Sequence, residues 1–135
     1  MPRVTLDTNE YISALHFGGA AMRLLRMAVD GEIELFISEP IIAETLRVLR
    51  DKFGWQGYDV FDAGQRLRKL GKVVTPTETL SIVEYDPPDN RILECAVESK
   101  SGFIVTEDND LLRLKEFQGI GIMRASEFLK TGASR

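Results

Sequence analysis

The clearest pattern along the chain is an alternation of short apolar runs with longer stretches of helical periodicity. Arg3 to Leu6 reads as a first strand that ends at Asp7. Asp7-Thr8-Asn9 supplies side chains able to cap a following helix, which Gly18-Gly19 breaks. A helix from Ala20 to about Asp30 places Met22, Leu25 and Val29 on one face, with Gly31 at its end. Glu34 to Ser38 is a second strand. Ser38 stands as N-cap and Pro40 lies just inside a helix running to about Phe53, with Ile42, Leu46, Leu49 and Phe53 at helical spacing. Gly54 and Gly57 bracket a loop holding Trp55, and a helix covers Tyr58 to Leu70. Lys72 to Thr75 and Leu80 to Val83 are extended candidates, stopped by Asp86-Pro87-Pro88-Asp89. A helix from about Asp89 to Lys100, a strand from Phe103 to Thr106 and a helical turn from Asp110 to Lys115 follow. The pattern ends with a strand from Gly119 to Met123 and a terminal helix from Ala125 to Lys130.

Continuous apolar strands between helices are the pattern of a parallel sheet covered on both faces, so the expected class is α/β. At 135 residues the chain is expected to form one domain, residues 1–135. Hydrophobic residues make up 44% and charged residues 28%, enough apolar surface to argue against disorder. The net charge of −4 excludes a broadly basic protein that coats nucleic acid, though not a local basic face. The lone Cys95 excludes an internal disulfide. With His16 as the single histidine, a Cys-based zinc site is excluded as well. This fits a reducing, cytoplasmic compartment. No apolar run is long enough to span a membrane, and the first residues do not read as a signal peptide.

In an open α/β sheet ligands bind beyond the carboxyl ends of the strands, and several acids map there. Asp7 follows the first strand, and Glu44 lies about one turn into the helix after the second. Asp89 opens the helix before the Phe103 strand, and Asp108 and Asp110 follow that strand. Each has a plain structural alternative. Asp7, Asp108 and Asp110 suit Asx turns and caps, and Glu44 suits a helix surface. Asp86 and Asp89 both suit a helix start, but capping explains only one of them. Taken jointly, acids placed after strands or at helix starts point to a site. Two carboxylates 4 Å apart repel by about 4 kcal/mol at an effective dielectric near 20, so such a cluster must take up protons or a cation. Oxygen ligands without Cys or His favour Mg²⁺ or Mn²⁺, ions suited to phosphodiester hydrolysis.

Four ordered segments carry a family resemblance: Val4-Thr5-Leu6-Asp7-Thr8-Asn9, then Ser38 to Glu44, then Asp86 to Ala96, then Ile104 to Leu112. In this order and spacing the chain resembles the PIN-domain nucleases, in particular the small single-domain toxins of toxin–antitoxin pairs. The resemblance implies a three-layer α/β/α sandwich around a mostly parallel sheet and a Mg²⁺- or Mn²⁺-dependent ribonuclease with one or two ions. Carried over by motif, Asp7, Glu44, Asp89 and Asp108 are the catalytic, metal-binding acids, and Asp110 is an outer ligand. Asn9 and Thr106 would orient them. RNA is the implied substrate, an antitoxin protein and a second copy of the chain the implied partners. Glu107 departs from the family pattern, which often has Gly or a small residue there. It adds negative charge beside the site and works against the approach of RNA.

Basic residues that could meet RNA are Arg47, Arg50 and Arg91, with Arg23 and Arg26 as further candidates. The run Arg66 to Lys72 reads better as a solvated helix face. No aromatic stacking platform is evident. Trp55, Tyr58 and Phe61 read as a cluster for core packing or a protein interface, His16 as a surface histidine, Cys95 as a small packed residue, and Met22 and Met27 as core or interface fillers. Two other functions compete: an RNA-processing nuclease with no antitoxin, and a non-catalytic PIN-like interaction module. A phosphoacceptor regulator ranks lower, because Asp7 lacks a paired acid.

Overall fold

The structure is a computed structural model that describes residues 1–84 and 86–131, with the backbone alone at Thr131. The elements in chain order are β1 (Arg3–Leu6), α1 (Thr8–His16), α2 (Gly19–Val29), β2 (Glu34–Ser38), α3 (Glu39–Phe53), α4 (Gly57–Leu70) and β3 (Lys72–Val74). They continue with α5 (Pro87–Ser99), β4 (Phe103–Val105), α6 (Asn109–Leu112), β5 (Glu116–Phe117), β6 (Ile120–Met123) and α7 (Ala125–Thr131). The strands form one sheet in the order β3-β2-β1-β4-β6-β5. All neighbours are parallel except β5 and β6. The register sets Thr5 beside Phe36 and Ile104, and Ile104 beside Ile122.

This order places the helices. The chain runs outward from β1 to β3, then returns to pair β4 on the other side of β1. Parallel crossovers are right-handed, so the helices of the first half and α5 lie on opposite faces. The contacts agree: α5 packs on β1, β2, β3 and β4, while α1 packs on α2 and α3. Both faces are therefore covered, and Val4, Leu6, Phe36, Ile37, Ile104 and Val105 are almost fully buried. The strand order reverses between the parallel neighbours β1 and β4, which opens a crevice at their carboxyl ends.

A satellite cluster of Ile12, Val48, Leu49 and Ala63 lies between α1, α3 and α4, with Phe53 and Trp55 packed against it. The Trp55 indole N–H donates to His16 Nδ1 at 3.2 Å, and His16 is exposed, as expected. Cys95 is buried. Among the described residues, no helix is long and apolar enough to cross a membrane.

The structure corrects several sequence expectations. Leu80 to Val83 joins no strand. It is held instead by α5 side chains: Asn90 accepts from the N–H groups of Ile82 and Val83 and donates to the Val83 carbonyl, and Glu94 accepts from Leu80 N–H. The helical turn after Asp108 stops at Leu112, because Lys115 takes a left-handed φ of 62° to turn into the unanticipated β5. Trp55, Tyr58 and Phe61 do not form one packed cluster. Trp55 is partly buried, whereas Tyr58 and Phe61 are 81% and 66% exposed. Ser38 begins α3 but makes no capping hydrogen bond with its side chain.

Candidate metal centre

The tightest group of acids lies at the carboxyl ends of β1 and β4. Asp86, Asp89, Asp108 and Asp110 each place a carboxylate oxygen within 4.8 Å of the others. Asp86 is the N-cap of α5 and Asp89 lies in its first turn, where Pro87 and Pro88 start the helix without needing its unpaired N–H groups. Asp108 and Asp110 come from the turn after β4. There the Asp108 carboxylate caps α6 by accepting the Asp110 N–H at 2.7 Å.

Asp7 stands beside this group at the end of β1 and is 4% exposed. Its Oδ2 accepts the Thr106 hydroxyl at 2.6 Å, while Thr106 Oγ1 accepts the Asp108 N–H at 2.9 Å. One buried threonine thus ties the ends of two adjacent strands and two of the acids. Thr106, expected to orient the acids, contacts Asp7 and the Asp108 backbone. Asn9 is exposed, and its backbone N–H bonds Asp7.

Glu44 is at the rim. It makes an ion pair with Arg47 and lies outside the group of four. Its charge reaches Asp86, and with Thr8, Pro40, Pro87, Pro88 and Arg91 it lines a recess of about 260 Å³. Of the expected ligands, the fold therefore brings Asp89, Asp108 and Asp110 together, sets Asp7 against them and leaves Glu44 at the edge. Asp86 is the acid the sequence reading left out of the ligand set. Its presence beside Asp89 could have been found from the Asp-Pro-Pro-Asp spacing, since a helix start needs only one cap. Asp86 sits at the N-cap of α5 yet makes no capping bond with its side chain.

The electrostatics are those of crowded carboxylates. Burial, then the charges of Asp108, Asp7, Asp86 and Asp110, push Asp89 up to about 8. Burial raises Asp7 to about 6, against the lowering effect of the Thr106 hydroxyl bond. Burial and the Asp108 and Asp110 charges raise Asp86. Asp89 Oδ2 is also buried, with no hydrogen-bond partner among the described residues. A buried carboxylate oxygen without a hydrogen-bond partner, on an acid that belongs to a cluster of carboxylates, fits a hard divalent cation.

Two further acids escaped the sequence reading as a pair. Glu10 on α1 is 3% exposed and is hydrogen-bonded to Glu107; burial, Glu107 and Asp7 raise it to about 7. Glu107 accepts the Ala125 N–H at 3.1 Å and pairs with Arg124 at 3.4 Å. Its charge is thus drawn toward α7 as well as standing beside the site.

Three of the arginines expected to meet RNA are ion-paired: Arg47 with Glu44 and Asp51, Arg50 with Asp51, and Arg91 with Glu94 at 2.7 Å. Arg113, which was not among those expected, pairs with Asp110 of the cluster at 3.4 Å. In the Arg66 to Lys72 run, expected as a solvated helix face, Arg66 pairs with Asp62, Arg68 with Glu39 and Lys72 with Glu34.

Solved structures share this fold. VapBC2 from Rickettsia felis, bound to a DNA fragment from their promoter, is similar with a TM-score of 0.64 and 12% identity, covering 89% of this chain and 96% of that one. VapBC-1 from nontypeable Haemophilus influenzae gives 0.63 and 17%, covering 92% of this chain and 98% of that one. Comparison with curated proteins gives no match. The PIN domain model matches residues 3–110, a span that holds every acid of the cluster, and the chain belongs to the PIN-domain family.

Proposed function

We propose that the chain is a metal-dependent endoribonuclease that hydrolyses RNA phosphodiesters, and that it is the toxin of a toxin–antitoxin pair. The observation that carries this reading is the cluster of four carboxylates in a PIN domain, one of which, Asp89, has a buried Oδ2 with no hydrogen-bond partner among the described residues. The donor set is all oxygen, which suits one or two Mg²⁺ or Mn²⁺ ions. Asp86, Asp89, Asp108 and Asp110 would hold them, with Asp7 alongside and Glu44 at the rim. Such an ion supplies an activated water and stabilises charge at phosphorus.

The chain's own residues do the rest. Thr106 holds Asp7 and the Asp108 backbone in fixed relation. Asp108 orders the start of α6 and so the Asp110 side chain. Arg91, partly exposed in the recess beside Thr8 and Glu44, is placed to meet a phosphate flanking the cleaved one. Arg47 and Arg50 lie further along α3 and extend the same path. RNA affinity should therefore fall with salt, by about one counterion released for each phosphate neutralised.

Both similar structures are named VapBC, which supports a protein antitoxin as partner here. A homodimer and a cytoplasmic location complete the reading. A maturation nuclease without antitoxin would share the same chemistry, and a small gene beside this one separates the two.

The test is cleavage of a panel of single-stranded and structured RNAs with Mn²⁺, Mg²⁺ or EDTA, comparing wild type with Asp89→Asn. Cleavage that needs metal and is lost in the variant is the expected result. Equal cleavage by the variant, or none by wild type on any RNA, would leave the non-catalytic interaction module as the better reading.

A further inference from the structure

We propose that Glu94 is a positioning residue: it fixes the Arg91 guanidinium in the recess beside the acid cluster, so that the open side of the fork meets a backbone phosphate of the RNA. This rests on the ribonuclease reading above.

The segment 75–84 joins β3 to α5 without becoming a strand. Its backbone is held by α5 side chains spaced four residues apart, on one face of the helix. Thr77 N–H donates to Glu98 at 2.9 Å, Leu80 N–H to Glu94 at 2.8 Å, and the Ile82 and Val83 N–H groups to Asn90. The segment therefore runs antiparallel to α5 and leads toward Asp86.

Glu94 does more than hold this segment. It is 7% exposed, and a carboxyl so buried needs partners. Arg91 supplies them: Nε donates to Glu94 Oε1 at 2.8 Å and Nη2 to Oε2 at 2.7 Å. Nη2 also donates to the Leu80 carbonyl at 3.3 Å. A guanidinium has five N–H groups in one plane. These bonds take three, the one on Nε and both on Nη2. The two on Nη1 make no hydrogen bond among the described residues.

Arg91 lines the recess with Thr8, Glu44, Pro87 and Pro88, and Asp89 of the cluster lies two residues before it. A fixed planar pair of donors beside a metal centre suits phosphate oxygens. A mobile arginine would have to be immobilised when RNA binds, which costs up to about tenfold in affinity. Glu94 and the Leu80 carbonyl restrain it before RNA arrives. Arg47 and Arg50 have no such anchor, because their partners Glu44 and Asp51 are not buried.

The experiment compares wild type, Glu94→Gln, Arg91→Ala and the double variant. It measures thermal unfolding, Mn²⁺ affinity without RNA, steady-state cleavage, and binding of a fluorescein-labelled single-stranded RNA with Ca²⁺ in place of Mn²⁺. Gln keeps an acceptor for Leu80 N–H but cannot accept both N–H groups of the fork. Glu94→Gln should bind RNA about tenfold more weakly, with the effect on KM rather than kcat and Mn²⁺ affinity at the wild-type value. Arg91→Ala should lose at least as much and lower the salt slope of RNA binding by about 0.7. In the double variant Glu94→Gln should add little, because it acts through the Arg91 side chain. If Glu94→Gln does not fold, Glu94→Asp, which shortens the reach to the guanidinium, takes its place. Wild-type RNA affinity in folded Glu94→Gln would overturn the proposal. So would additive losses in the double variant, the mark of a merely structural residue, or an equal loss of Mn²⁺ affinity. Any of these alongside metal-dependent cleavage by wild type leaves the ribonuclease reading intact. The expected coupling in RNA binding with no cleavage by wild type would keep Glu94 in its role and remove the nuclease reading. No RNA binding by wild type would remove both.

Discussion

The Thr106 hydroxyl donates to Asp7 Oδ2 at 2.6 Å, in a pocket where neither residue is more than 4% exposed. Thr106 Oγ1 in turn accepts the Asp108 N–H at 2.9 Å, so one side chain fixes the relative position of acids from β1 and β4. Removing the hydroxyl leaves a buried carboxylate short of a donor, which costs about 1–3 kcal/mol. Thr106→Val should lower stability by that amount in urea titrations, reduce Mn²⁺ affinity about tenfold and raise the Asp7 pKa further. Thr106→Ser, which keeps the donor, should recover most of the loss.

In the metal-free protein, stability should decline as pH rises. The folded-state pKa values of Asp7, Glu10 and Asp89 are raised to about 6, 7 and 8, from ordinary carboxylate values near 4. Below pH 4 both states are protonated and these groups contribute nothing to the slope. Between about pH 4 and 8 the unfolded chain has released protons that the folded chain retains, so unfolding becomes easier. The slope is about 1.4 kcal/mol per pH unit for each unmatched proton. Urea unfolding in EDTA at a series of pH values measures this; stability that rises across the interval would contradict the assigned shifts.

Divalent metal should reverse that loss, because a ligand that binds only the folded state stabilises it by about 2.7 kcal/mol at a hundredfold excess over Kd. Asp89→Asn should act in the opposite sense on the two forms. Without metal it removes a charge from a crowded buried site and should raise the Tm. With metal it removes a central ligand, so the Mn²⁺-dependent rise in Tm should shrink or vanish. Calorimetric melts with and without Mn²⁺ give both numbers from one pair of proteins.

Asn90 anchors the segment before the acid-bearing end of α5 through three hydrogen bonds to the backbone of Ile82 and Val83. Asn90→Ala should cost about 2–3 kcal/mol, since it orphans buried backbone groups around the nearly buried Val83. Hydrogen exchange should show the lost protection confined to Ile82 and Val83. Uniform loss across the sheet would mean the segment is not held as described.

Tyr11 is almost fully buried, yet its hydroxyl finds no partner among the described residues. Tyr11→Phe removes that orphaned group without a cavity. It should leave stability unchanged or raise it by about 1 kcal/mol, read from the urea midpoint.

Much of the architecture could be read from local pattern. The runs at β1, β2 and β4 are continuous and apolar because both sheet faces are covered, and glycines and prolines mark the ends of the helices between them. Strand ends in such a sheet point to one edge, so Asp7, Asp89, Asp108 and Asp110 could be assigned to a common region before any coordinates. Where contacts cross between distant segments, the pattern is silent. Leu80 to Val83 carries the apolar character of a strand, yet its backbone partners are side chains of α5. Glu44 borders the apolar stripe of α3, but Arg47 one turn on draws its carboxylate aside.

The sequence alone determined the strand and helix order, the covered parallel sheet and the gathering of acids at one edge, because periodicity and chain direction are local properties that fold topology then preserves. Only the tertiary structure decided which carboxylate oxygens meet. It placed Asp86 in the cluster, moved Glu44 to its rim, left Asp89 Oδ2 without a hydrogen-bond partner among the described residues and set Glu10 against Glu107. Those outcomes depend on how each helix is rotated against the sheet, and rotation is settled by side-chain packing among residues far apart in the chain.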